Sequence, residues 1–150
     1  MSDGEASYSF HAFRGTVQGT MLYLSVYGTF LTFQSFSKFY LARQKRGEMK
    51  DKKLSFRKVK YYNSDDTLAL TGDRAVGNFM EFAVMFLPLY WMHAVFVDAS
   101  QSFTIACIYS ASRAIYPFVF PMKGFFVLFS TIPGYIVLFY LFSSVAHAVA

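Results

Sequence analysis

Residues 70–97 read LTGDRAVGNFMEFAVMFLPLYWMHAVFV: Asp73, Arg74 and Glu81 fall early, and from Phe82 onward every side chain but His93 is apolar or aromatic. At 1.5 Å per helical residue, a run of this length exceeds the roughly 30 Å of hydrocarbon in a bilayer. Pro88, inside the apolar part, predicts a kink of the kind membrane helices tolerate. Asn63-Ser64-Asp65-Asp66-Thr67 just upstream supplies turn and capping residues.

Outward from this span the pattern repeats. Asp98-Ala99-Ser100-Gln101 is a tight polar connection, which makes the next span, about 102–120, antiparallel to the second and packed directly on it. Arg113 interrupts that span, and Pro117 and Pro121 bend or end it. A further span, about 124–148, has no charge and has Pro133-Gly134 as its weak point. Upstream, the span at about 16–42 carries no charged residue from Thr16 to Ser37. The fold expected is all-α: an integral membrane bundle of four helices in a single domain over residues 1–150.

Composition agrees. The chain is 55% hydrophobic and 21% aromatic against 15% charged, more apolar surface than one soluble core of 150 residues can hide. The net charge of +5 is concentrated, because nine of the fourteen Lys and Arg residues lie between Arg43 and Lys60. Basic residues beside an apolar span set topology and meet anionic lipid; they do not form a nucleic-acid surface. The loop 43–66 is therefore expected in the cytoplasm, with both termini on the opposite side. Lys123, in the third loop, agrees with that orientation. Cys107 is the single cysteine, inside an apolar run, which excludes an intrachain disulfide and a cysteine metal site. The first fifteen residues lack the design of a cleavable signal, so the first apolar run is expected to stay as a helix.

Arg74, Asn78 and Glu81 are spaced i, i+4 and i+7, one stripe on one helix face. Tyr109, Arg113, Tyr116 and Phe120 form a comparable stripe on the third span. A charge within a span costs about 2.5–3.5 kcal/mol on insertion scales, so such residues face a partner or a wet pocket. Topology gathers Arg43, Arg74, Arg113 and Lys123 toward one membrane face. Several cations with one carboxylate, Glu81, suit a small anionic ligand that also carries an amine. The competing reading pairs Glu81 with Arg74 or Arg113 merely to hold helices together. Seven positions separate Arg74 from Glu81, which disfavours a pair within one helix.

The stretch Arg74-Ala75-Val76-Gly77-Asn78-Phe79-Met80-Glu81, with Arg113-Ala114-Ile115-Tyr116 some thirty residues later, resembles the signature of the MAPEG family, the membrane-associated proteins of eicosanoid and glutathione metabolism. The resemblance covers roughly residues 17–149 and is strongest from 73 to 120. It implies a homotrimer of four-helix subunits that binds glutathione, as cosubstrate or ligand, between neighbouring subunits on the cytoplasmic side. Carried over by position, Asn78 and Glu81 hold the tripeptide's polar groups, with Glu81 at its amine. Arg43, Arg74 and Arg113 meet its carboxylates, and Tyr116 donates a further hydrogen bond. In the enzymes of the family an arginine near the start of the fourth span stabilises the thiolate. Lys123 is the residue at that place here, a point charge without the planar fork. A free thiol is mostly protonated at neutral pH, so a fixed cation beside it raises the nucleophile's concentration.

Other departures thin the family's pattern. Phe82 follows the glutamate where relatives carry tyrosine, Val76 replaces a polar residue, and Phe120 stands where a second tyrosine is common. Val84 takes the place of a frequent proline, which appears one turn later as Pro88. Two functions follow. One is a membrane-bound glutathione transferase or peroxidase acting on hydrophobic electrophiles or lipid hydroperoxides drawn from the bilayer. The other is a non-catalytic, lipid-binding or structural subunit of a larger membrane assembly. The endoplasmic reticulum is the expected membrane, ahead of a mitochondrial or plastid one. His93 and His147 are expected to be hydrogen-bonded within the bundle, with no metal assigned. Gly19 and Gly28 are expected to let helices approach closely.

Overall fold

The computed structural model describes residues 3–45, 47, 66–122 and 124–150. Most of the basic loop, as well as Lys123, lies outside them. Helix α1 runs Asp3–Gln44 and α2 runs Thr67–Phe96. A 3-10 turn, Ala99–Gln101, leads into α3, Ser102–Ala114, and α4, Tyr116–Val119, continues its path into the 3-10 turn Phe120–Met122. A last 3-10 turn, Gly124–Val127, opens α5, Leu128–Val149. Among the described residues there is no strand. The result is an all-helical bundle of four rods, the third of them made of α3 and α4.

Three segments, Thr67–Phe96, Ala99–Met122 and Gly124–Val149, have the length and apolar composition to cross a membrane. The first rod is longer, at 42 residues, but less apolar, because threonines, serines, glutamines and glycines are spread along it. Several of its hydroxyls are satisfied by the helix itself: Thr20, Ser25, Thr29 and Thr32 each donate to the carbonyl four residues back, at 2.8–2.9 Å. The outer surface is strongly apolar. Phe118, Phe125 and Phe139 are each at least three-quarters exposed, which in water would be a severe liability and in lipid is ordinary.

The helix ends follow their sequences. Asp66 caps α2 by accepting from the Ala69 amide at 2.9 Å. Asp98 organises the turn after α2, accepting from the Ser100 amide at 2.8 Å and the Gln101 side chain at 3.0 Å. Tyr140 of α5 donates to the Gln101 side-chain oxygen at 3.0 Å, which ties the turn to the last rod.

The short connection does not make α2 and α3 flat neighbours. They face each other across the core, while α1 and α5 each pack on both, from opposite sides. The reason is the size of the side chains between them. Phe86 of α2 and Tyr109 of α3 stack with centroids 3.9 Å apart and planes 2° from parallel, and both are fully buried. Tyr23 of α1 joins this stack, 4.9 Å from Phe86 and 4.4 Å from Phe79. Such aromatic pairs add roughly 0.5–1.5 kcal/mol beyond their buried area.

At Gly19, α1 packs closely on α2 and α3. A Cβ there would lie 2.2 Å from the Tyr90 hydroxyl and 2.6 Å from the Ala106 Cβ. Its absence lets Tyr90 reach across and donate to the Thr16 carbonyl at 3.1 Å. Gly28, expected to act in the same way, faces open space with nothing within 4 Å of a would-be Cβ. The histidines also depart from expectation. His93 is fully buried, its ring 5.5 Å from that of Tyr140, yet neither ring nitrogen makes a hydrogen bond of ordinary geometry to another described residue. His147 is exposed in the last turn of α5.

Candidate functional site

The early turns of α2 and the start of α4 enclose a cavity of about 280 Å³ lined by Asp73, Arg74, Gly77, Asn78, Glu81 and Tyr116. The i, i+4, i+7 stripe of α2 thus forms one wall, and Tyr116, which is buried, forms the opposite one. Arg74 and Glu81 are exposed at this wall. Among the described residues neither is in an ion pair, so the helix-holding pair of Glu81 with Arg74 or Arg113 is not formed. A free guanidinium and a free carboxylate on one wall can take a ligand that carries both charges.

Asp73 was visible in the sequence only as a residue near the start of a span. The residue lines the cavity, and its carboxylate is held from α1: Lys38 pairs with it at 2.5 Å and Gln34 donates to it at 2.7 Å. That pairing neutralises one of the two acids, which leaves Glu81 as the cavity's carboxylate without an ion pair among the described residues. The signal for Gln34 and Lys38 was weak in sequence, because their partner lies 39 positions away from Gln34.

Arg113 occupies a different place from Arg74. It is 1% exposed and lies behind the cavity wall, where one guanidinium nitrogen, Nη1, donates to the Asn78 side-chain oxygen at 2.9 Å. Its Cζ lies 4.8 Å from the Phe82 ring centre and 5.1 Å from that of Tyr109. These rings supply cation–π attraction in a dry setting. Phe82, where the family resemblance expects tyrosine, therefore serves as an apolar face for Arg113. Phe120 stacks on Tyr116, with ring centres 5.7 Å apart. Beneath Arg113, the Ser130 hydroxyl donates to the Ser112 carbonyl at 2.6 Å and ties α5 to α3.

Of the residues singled out from sequence, Arg74, Asn78, Glu81 and Tyr116 are brought together, and Arg113 touches the group through Asn78. Arg43 is exposed in the last turn of α1 and is not among the cavity's lining residues. Lys123 lies outside the described residues.

A second, apolar cavity of about 470 Å³ lies on the other side of α4, lined by Val26, Phe30, Phe33, Ala114, Pro117 and Phe118 among others. The two cavities thus share one short helix, with Tyr116 facing the polar one and Pro117 and Phe118 the apolar one.

Compared with the models of known protein families, with curated proteins and with solved structures, the chain gives no match.

Proposed function

We propose that the chain is a multi-pass membrane protein that binds glutathione in the α2–α4 cavity and acts as a glutathione transferase or peroxidase on hydrophobic electrophiles or lipid hydroperoxides. The observation that carries this reading is the presence in one cavity of a guanidinium, Arg74, and a carboxylate, Glu81, neither paired among the described residues, with the hydrogen-bonding groups of Asn78 and Tyr116. Glutathione has a free amine for Glu81 and a carboxylate for Arg74. Charge-assisted hydrogen bonds of this kind are about twice as strong as neutral ones. The MAPEG-like spacing of the same residues points to the same ligand.

Two features support a site shared between copies of the chain. The cavity's 280 Å³ falls just under the roughly 300–1,000 Å³ of typical ligand pockets, so a neighbouring subunit would complete it. Arg43 stands exposed outside the cavity, free to serve a neighbour's site. In this proposal the assembly is a homotrimer, α1 is the fourth membrane span, and the cavity opens toward the cytoplasm. In this proposal the apolar cavity beyond Pro117 and Phe118, on the other side of α4, receives the hydrophobic electrophile.

The chemistry is addition of the glutathione sulfur to an electrophilic carbon, or its attack on a peroxide oxygen. In the second case the peroxide is reduced to an alcohol and water while two glutathione molecules are oxidised to the disulfide. Lys123 is the cation proposed to favour the thiolate. The test is calorimetric titration of the purified protein with reduced glutathione, followed by conjugation and peroxidase assays on wild type and Lys123→Ala. Binding that is weakened at least about tenfold in Arg74→Ala, with turnover lowered in Lys123→Ala, is the expected result. A protein that binds no glutathione refutes the proposal; one that binds it but turns nothing over has a binding role only.

A further inference from the structure

A cavity wall is only as selective as the orientation of the groups on it, and the Asn78 amide presents a donor or an acceptor according to which way it is turned. Its orientation is fixed from behind. A guanidinium carries five donors and no acceptor, so the bond from Arg113 Nη1 at 2.9 Å can only be received by the Asn78 oxygen. The amide's NH2, which makes no hydrogen bond to another described residue, is what remains for the cavity.

Arg113 in turn is held by a vacancy in α5. A Cβ built on Gly134 would lie 1.6 Å from Arg113 Nη2, 2.7 Å from Cζ and 3.1 Å from Nε. Even a single methyl group would collide with the whole head group. The guanidinium cannot turn aside within its pocket, because the rings of Phe82 and Tyr109 cover it and only 1% of the residue is exposed. Its other terminal nitrogen faces the Ser130 carbonyl at 3.5 Å. Gly134 follows Pro133, which breaks the regular bonding of α5 at this level and suits a local notch.

We infer that Gly134 and Arg113 are positioning residues that lock the Asn78 amide with its NH2 toward the cavity, so that the site selects a ligand with an acceptor oxygen at that point. This rests on the proposed function for the ligand's identity, a carbonyl or carboxylate oxygen of glutathione, but the relay itself is a property of the ligand-free protein.

Asn63 and Asn78 are the only asparagines in the chain, so selective 15N-asparagine labelling of the full protein in lipid nanodiscs gives two side-chain NH2 signals. Asn78→Asp deletes one of them and assigns it. In Gly134→Ala the Asn78 signal is expected to move toward the position of an unrestrained amide while the Asn63 signal stays. Reduced glutathione is expected to bind at least about tenfold more weakly to Gly134→Ala, the effect of one good hydrogen bond. Asn78→Asp is expected to weaken glutathione by at least as much while its melting temperature holds or rises, because the new carboxylate pairs with Arg113 but offers no donor.

If Gly134→Ala does not fold, Arg113→Lys decides. It keeps the charge and clears the notch but loses the fork, and it is expected to shift the Asn78 signal in the same way. An Asn78 signal unmoved by whichever of the two variants folds overturns the relay, as does full glutathione affinity in Asn78→Asp. A wild type that binds no glutathione, with the Asn78 signal moving as expected, refutes the ligand and leaves the relay standing.

Discussion

In the first half of α2, Arg74 and Glu81 stand exposed at a cavity edge without an ion-pair partner among the described residues. In the second half, Phe86 and Tyr90 are fully buried and stack on each other, and Phe86 also meets rings from α1 and α3. One helix therefore carries exposed charges and buried aromatics within a few turns. In the first half the charges stand on the cavity face while Phe79 joins the stack from the buried face; in the second half the rings dominate. A substitution at an exposed charge or at a buried ring should move one property and leave the other nearly where it was.

The largest effect is expected in the aromatic half. Phe86→Ala removes the central ring of the stack and should lower stability by about 3–5 kcal/mol, the usual cost for a buried phenylalanine. The folded fraction should keep its glutathione affinity. Reversible denaturation in mixed micelles, with a ligand titration on the same sample, reads both quantities, and a loss of affinity without a loss of stability would erase the contrast.

In the cavity half, Arg74→Ala and Glu81→Gln should each weaken glutathione binding by about 1.5–3 kcal/mol, the range for hydrogen bonds to charged groups. Their effect on stability should stay within about 0.5 kcal/mol, as for other exposed positions. Calorimetry and thermal unfolding of the pair sharpen the division. If both variants melt early, the charges belong to the scaffold.

Tyr90→Phe keeps the ring and deletes the hydroxyl that reaches the Thr16 carbonyl through the gap left by Gly19. A net hydrogen bond contributes about 0.5–1.5 kcal/mol, so a drop in stability of that size is expected with no change in ligand affinity. Gly19→Ala should cost more than Tyr90→Phe, since its methyl group meets both Tyr90 and Ala106. The order of the two variants in a denaturation series tests whether close approach or the bond itself dominates.

The smallest effect belongs to the turn after α2. Hydrogen bonds from Ser100, and then from Gln101, hold the Asp98 carboxyl below the usual aspartate range. The folded value is depressed, so the contribution is present above the unfolded value of about 3.9 and is lost as pH falls through the lower folded value. A slight loss of thermal stability below about pH 4, absent in Asp98→Asn, is the expected outcome.

Much of the architecture was legible in the sequence because membrane solvent imposes a coarse code. The apolar runs at 70–97, 102–120 and 124–148 correspond to long apolar helical segments, and the helical spacing of Arg74, Asn78 and Glu81 does place them on one cavity wall. The depth of Arg113 could not be read in this way. A stripe on α3 says which face it shares with Tyr116, but only the notch at Gly134, on a different helix, makes room for its head group. Pro133-Gly134 looked like a weak point because sequence shows the broken helix and not the side chain that fills the break. Asp73 was missed for a related reason: its partners Gln34 and Lys38 lie on α1, across the basic loop, and no local period links them. The diagonal placement of α2 and α3 depends on ring sizes at the core, which a short connecting turn does not encode.

Whether glutathione occupies the cavity of Arg74, Asn78, Glu81 and Tyr116 is best decided by a cryo-electron microscopy structure of the protein in nanodiscs with saturating reduced glutathione. Density is expected in that cavity, with the ligand's amine at Glu81, a carboxylate at Arg74 and an acceptor oxygen at the Asn78 NH2. An empty or lipid-filled cavity under those conditions, with Glu81 turned to a protein partner, would contradict it.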